Sequence, residues 1–141
     1  MALLYYHMAT AIVQRLGEKE GEKLIKEAIW SYGEACGRDV RESVLSQGLS
    51  LEAANFSAVP DLPSKGWRHE VRGTGEKAGS AVTFCPLAAV WKELGAEKLG
   101  RLYCFVDQAK FHAYNPDLCV VHEKNVLDGD DCCIIKVSSK D

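Results

Sequence analysis

From Glu18 to about Gln47 apolar residues recur at three- and four-residue spacings, uninterrupted by proline, with Lys and Glu on the opposite side. Leu24, Ala28, Tyr32, Ala35 or Cys36, Val40 and Val44 make the stripe, which is the period of an amphipathic helix. At about 1.5 Å per residue such an element spans roughly 45 Å. That is long for a chain of 141 residues, so a kink or break is expected near Gly33 or Gly37. Ahead of it, Met1 to about Leu16 is apolar on nearly every side and reads as a buried first helix, ended by Gly17. The opening MALLYYHMATAIV lacks the positive start and small-residue cleavage site of a secretory leader, so it is read as part of the fold. Leu51 to Ala58 adds a short helical turn.

After Pro60 and Pro63 the period changes. Trp67, His69 and Val71 alternate with Arg68, Glu70 and Arg72, the pattern of a half-buried strand in which His69 is a satisfied core histidine. Gly73, Gly75 and Gly79 mark a turn, and Ser80 to Cys85 forms the partner strand of a hairpin. Pro86 to Leu94 is a short helix closed by Gly95; Glu97 to about Ala113 is another, stopped by Asn115-Pro116. A second hairpin follows: Leu118 to Lys124, a turn containing Asp128-Gly129, then Cys132 to Val137. The fold class is α+β, with N-terminal helices packed on an antiparallel sheet of about four strands and further helices between the two hairpins. It forms a single domain over 1–141, helical in 1–58 and sheet-containing in 64–141.

Charge and cysteine usage narrow the function classes. Seventeen Lys and Arg against 20 Asp and Glu give a formal charge of −3, and no local run supplies the basic face that a nucleic-acid partner requires. No apolar stretch reaches the roughly 20 residues of a membrane helix. Six cysteines in so short a chain raise the question of disulfides, but Cys132 and Cys133 are adjacent and do not easily bridge each other. A reduced, cytoplasmic location is expected.

Cys85 has the most informative local context. It precedes Pro86, a residue favoured at the first helical position, so it falls at or next to an N-cap. Unpaired N–H groups and the helix dipole there favour negative charge, which suits a nucleophile or metal ligand. The other reading is a small buried residue ending a strand. Cys104 and Asp107 share a helix face, with Arg101 one turn before and Phe111 one turn after, beside a core stripe of Leu99, Leu102, Val106 and Ala113. Asp107 is thus either an acid at the buried boundary or a surface acid paired with Arg101 or Lys110. On the last strand Cys133 shares a face with Ile135 and Val137, which makes it, rather than Cys132, the inward residue. The acidic turn Asp128-Gly129-Asp130-Asp131 suits hairpin chemistry or, more sharply, a cation or amidinium site. His7, His69, His112 and His122 form no recognised zinc pattern, and Cys36 and Cys119 read as core or surface filler. Phosphate-binding loops, nucleophile elbows and dinucleotide fingerprints are absent from the sequence.

The run Cys85-Pro86-Leu87-Ala88-Ala89-Val90-Trp91, then Leu102-Tyr103-Cys104-Phe105-Val106-Asp107, Asn115-Pro116 and Gly129-Asp130-Asp131-Cys132-Cys133 resembles the L-2-amino-thiazoline-4-carboxylic acid hydrolase family. Gly17-Glu18 and Ser31-Tyr32-Gly33-Glu34-Ala35-Cys36-Gly37-Arg38 are similar to that family's N-terminal helices, so the resemblance covers most of the chain. The closing Gly-Asp-x-x-Cys is also similar to a wider set of ligand-binding domains, including 4-vinyl-reductase domains and haem-based nitric-oxide sensors. Matched to that motif, the family cysteine is Cys133.

The resemblance implies a small-molecule substrate and hydrolytic opening of a thiazoline ring to a carbamoyl-cysteine. On that reading Cys85 attacks C2 of the ring, while Asp107 shuttles protons, expels the ring sulfur and activates water. Cys104 and Cys133 line the pocket, Asp130 holds the amidine, and Arg101 or Arg72 the carboxylate. No cofactor is required. Cysteine hydrolases usually pair the thiol with a histidine, and spacing selects neither His112 nor His122. A second enzymatic version has Cys85, Cys104 and Cys133 holding zinc or another soft divalent metal. The rival from another class is a non-catalytic small-molecule or metal-binding module of the same fold. An apolar first helix also suits a homodimer.

Overall fold

In the computed structural model, which describes residues 1–58, 64–72 and 79–140, the longest element is a helix running without interruption over Glu18–Ser46 (α2). It follows Ala2–Leu16 (α1), and the joint is Gly17, whose φ of 81° favours a residue without Cβ. The break expected near Gly33 or Gly37 does not occur. Both glycines serve close approach instead: a Cβ at Gly33 would lie 2.6 Å from the Ala109 Cβ, and one at Gly37 would lie 2.2 Å from the Lys110 carbonyl oxygen. The buried line of α2 is accordingly Gly21, Ile25, Ile29, Gly33, Gly37, Val40 and Val44. Leu24 and Tyr32, expected in the stripe, are exposed. Glycine carries no hydrophobic signal, so a line drawn through the large side chains alone is rotated by one residue in the first half of the helix.

α1 also departs from the buried helix expected. Only Ala2 and Ala9 are fully buried, while Leu3, Leu4, Met8 and Leu16 face outward. Small residues let α1 approach its neighbours, and the large ones remain on the outside. A short 3₁₀ helix at Ala53–Ala58 matches the expected helical turn.

The sheet has four antiparallel strands, Arg68–Arg72 (β1), Gly79–Phe84 (β2), Leu118–Lys124 (β3) and Cys133–Ser139 (β4), in the order β1-β2-β4-β3. Both hairpins expected from sequence are present, and β2 joins them by pairing Ala81 with Ile134 and Val82 with Cys133. His69 is exposed on β1 rather than in the core. The glycine turn expected at Gly73 and Gly75 lies outside the described residues.

Between the hairpins lie Pro86–Glu93 (α3), Glu97–Tyr103 (α4) and Phe105–Tyr114 (α5). The single helix expected over Glu97 to Ala113 is divided at Cys104, where hydrogen bonding tightens to three-residue spacing: Cys104 N–H to the Arg101 carbonyl at 3.2 Å and Asp107 N–H to the Cys104 carbonyl at 3.3 Å. Each half is fastened to a different partner. Gly100 of α4 lies against Trp91 of α3, and α5 lies in the glycine notch of α2. The chain bends where the two obligations meet.

Among the described residues the core is in three clusters. Ala2, Ala88, Trp91, Ala96 and Leu127 form one; Ala9, Ile25, Ile29, Leu102 and Val106 another; Val40, Val44, Tyr114 and Leu118 the third. Among the described residues no helix is long and apolar enough to cross a membrane.

Candidate active site

Cys85 leaves β2 and becomes the N-cap of α3, followed by Pro86 at the first helical position. Its Sγ accepts the Ala88 N–H at 3.5 Å, as the sequence context led one to expect. The side chain is half-buried and packs against the cluster around Trp91, as do Tyr103 and Cys104.

The bend between α4 and α5 presents Cys104 to the segment that links β3 to β4, and Asp107 to β3 itself. Burial, joined by the Asp107 and Cys133 charges, pushes the Cys104 thiol up to about 12, against the pull of the Asn125 hydrogen bond and of Arg101. Cys133 opens β4 and its Sγ accepts the Val126 N–H at 3.4 Å. Burial also pushes this thiol up, and charge at Cys85, Cys132 and Asp107 adds to the effect. The structure therefore brings Cys85, Cys104, Cys133 and Asp107 into one electrostatic neighbourhood from three places in the chain, the start of α3, the α4–α5 bend and the start of β4.

Asp107 pairs with His122 of β3: Nε2 and Oδ2 are 3.1 Å apart, with the imidazole 4% exposed and the carboxylate 29% exposed. The second histidine considered, His112, lies against Trp30 at the surface. Period-two alternation could have selected His122, because Leu118 and Val120 of the same strand face are both buried. Behind His122 stands Asn125, a residue that sequence reasoning missed and that is 1% exposed. Its amide nitrogen lies 3.2 Å from His122 Nδ1 and donates to Cys104 Sγ at 3.4 Å, while its Oδ1 accepts the Leu127 N–H at 2.9 Å. The signal for it was weak: one polar residue after a strand, overshadowed by the acidic turn beyond.

The remaining candidates divide. Arg101 donates from Nε to Asp128 at 2.8 Å, and its charge is near enough to favour the thiolate of Cys104, so it reaches the rim of the site. Asp130 accepts the Asn125 N–H at 2.8 Å, which commits one of its oxygens to the β3–β4 turn. Arg72 ends β1, and its side chain lies outside the described residues. Cys132 corrects the inward assignment: it is fully buried and Cys133 only partly so. The reason is that β4 starts at Cys133, so Cys132 belongs to the preceding turn and strand alternation does not govern it. Among the described residues no group of three or more His, Cys, Asp or Glu side chains is placed to hold a metal ion.

Half-buried thiols beside an acid–imidazole pair, on an α+β frame, are groups suited to nucleophilic and proton-transfer chemistry on a small molecule. The family model described as L-2-amino-thiazoline-4-carboxylic acid hydrolase matches residues 1–137, nearly the whole chain, and the protein belongs to that family. No curated protein and no solved structure matches it.

Proposed function

We propose that the protein hydrolyses a small cyclic amidine of the 2-amino-thiazoline-4-carboxylate type, with Cys85 as nucleophile and Asp107 as the acid–base group. The observation that carries this reading is the Asp107–His122 pair, set among three thiols with its carboxylate partly open. Of the three thiols, burial disfavours the thiolate at Cys104 and Cys133. Cys85 stands apart from them at the N-cap of α3, where its sulfur accepts the Ala88 N–H.

In the proposed reaction the Cys85 thiol passes its proton to Asp107 as its sulfur adds to C2 of the ring. The C2–sulfur bond of the ring breaks, and the departing sulfur takes a proton from Asp107. Water, deprotonated by Asp107, then adds to the same carbon, and Cys85 leaves as that proton returns to its sulfur. One water is consumed and the product is an N-carbamoyl-cysteine. Arg101 is at hand for the substrate carboxylate, since its Nη atoms remain beyond the Nε contact to Asp128. Cys104 and Cys133 serve as neutral lining.

The test is a chromatographic assay of the reduced protein with L-2-amino-thiazoline-4-carboxylate, with carbamoyl-cysteine as readout. Cys85→Ala is expected to lower turnover by about a thousand-fold or more, and Asp107→Asn by about a hundred-fold. Unchanged turnover in Cys85→Ala would remove the nucleophile role.

A further inference from the structure

The hydrogen bonds behind Asp107 have a direction, and a buried backbone group sets it. The Leu127 N–H can only donate, so the Asn125 side-chain atom 2.9 Å from it is the carbonyl oxygen. The amide nitrogen must then face the other way, toward His122 Nδ1 at 3.2 Å and Cys104 Sγ at 3.4 Å, with one hydrogen for each. An N–H pointed at Nδ1 requires a lone pair there. The ring proton consequently resides on Nε2, where Asp107 Oδ2 accepts it at 3.1 Å.

The backbone of Asn125 is held as well. Its backbone N–H donates to Asp130 Oδ2 at 2.8 Å, and its carbonyl accepts from Asp128 at 2.9 Å and Asp130 at 3.3 Å. The turn that Asp130 closes thus serves the site by holding Asn125.

We infer that Asn125 is a positioning residue that fixes His122 as the Nε2–H tautomer, so that Asp107, not the imidazole, exchanges protons with the ligand. The residue set Cys, His, Asn and Asp invites the order thiol–imidazole–carboxylate, in which histidine is the base. Here the order is reversed: both ring nitrogens are engaged, by Asn125 and Asp107, and none is left for Cys85. The tautomer follows from the hydrogen bonds alone, whereas its catalytic consequence rests on the reading of Asp107 given above.

Two-bond ¹H–¹⁵N correlation spectra of the full-length protein labelled with ¹⁵N-histidine test this at neutral pH, with the His122 signals identified by their loss in His122→Gln. A protonated Nε2 and an unprotonated Nδ1 are expected in the wild type. In Asn125→Ala nothing keeps a proton off Nδ1 while Asp107 still holds one on Nε2, so a protonated Nδ1 signal should appear, and thiazoline turnover should fall about ten-fold or more with KM within about two-fold. A proton on Nδ1 in the wild type, as the other tautomer or as imidazolium, overturns the inference. An unaltered spectrum in Asn125→Ala does so too. Should that variant fail to fold, the wild-type spectrum decides alone. A wild type with the expected spectrum and no turnover would count against the proposed reaction and leave the tautomer standing.

Discussion

Cys104 couples the site to stability. Burial, the largest cause, raises its thiol from an ordinary 9.0 to about 12. The unfolded chain therefore loses this proton first as pH rises, and the folded state must keep it. The contribution is complete below pH 9 and drains away between 9 and 12, at about 1.4 kcal/mol per pH unit. Tyr5, Tyr103 and Cys133 are also raised, chiefly by burial, and add losses of the same sign. In Cys104→Ser, which cannot ionise in this range, urea denaturation between pH 9 and 10.5 is expected to give a slope shallower by about 1 kcal/mol per unit. Equal slopes would mean that the folded thiol ionises as freely as the unfolded one. At this scale the sequence was legible wherever a side chain's chemistry is local. Cys85 before Pro86 announces a capped helix start, and the structure has one. Asn125 and Cys132 were not legible, because their roles depend on how a turn folds back on a strand rather than on the period of the strand.

α2 and α5 show how a helix pair is specified by what is missing. Gly37 lies against a backbone carbonyl, which cannot rotate out of the way as a side-chain tip can. Alanine there gains about 1 kcal/mol of helix propensity but must push α5 outward, and overpacking of this kind costs about 1–3 kcal/mol. Gly37→Ala is expected to lower Tm by roughly 5 °C, measured by circular dichroism. A raised Tm, as propensity alone would give, would refute the close approach. Gly17→Ala separates crowding from strain, since nothing lies within 4 Å of its Cβ position and only the positive φ opposes it, at about 1 kcal/mol. Because Gly37 and Gly33 seat α5, the Gly37 substitution should also disturb Asp107, which the same helix carries. Hydrophobic periodicity located both helices but misread these glycines as weak points, since a residue without a side chain leaves no trace of what packs against it.

At the scale of the whole molecule the question is whether the helical part, 1–58, and the sheet-containing part, 64–141, are separate units. Each core cluster draws on both: Ala2 with Trp91 and Leu127, Ile25 and Ile29 with Leu102 and Val106, Val40 and Val44 with Tyr114 and Leu118. Hydrogen bonds cross the same boundary. Trp91 Nε1 donates to the Ala2 carbonyl at 3.1 Å, Tyr5 to the Leu99 carbonyl at 2.6 Å, Arg41 to the Tyr114 carbonyl at 2.7 Å and Tyr114 to the Glu52 carbonyl at 2.9 Å. On these contacts loss of one part exposes the apolar face of the other, and all-or-none unfolding is the expected outcome. Helix content followed at 222 nm and tryptophan fluorescence, to which the buried Trp91 contributes beside Trp30 and Trp67, should give coincident urea transitions, and residues 1–58 alone should not fold cooperatively. Two separated transitions would show that the clusters are not one core. The same interlock bears on the site, whose groups come from β2, the α4–α5 bend, β3 and β4 and meet only when the helices have closed over the sheet. Substrate or product bound there should therefore raise the midpoint of the single transition, and not merely stiffen the turn that holds Asn125.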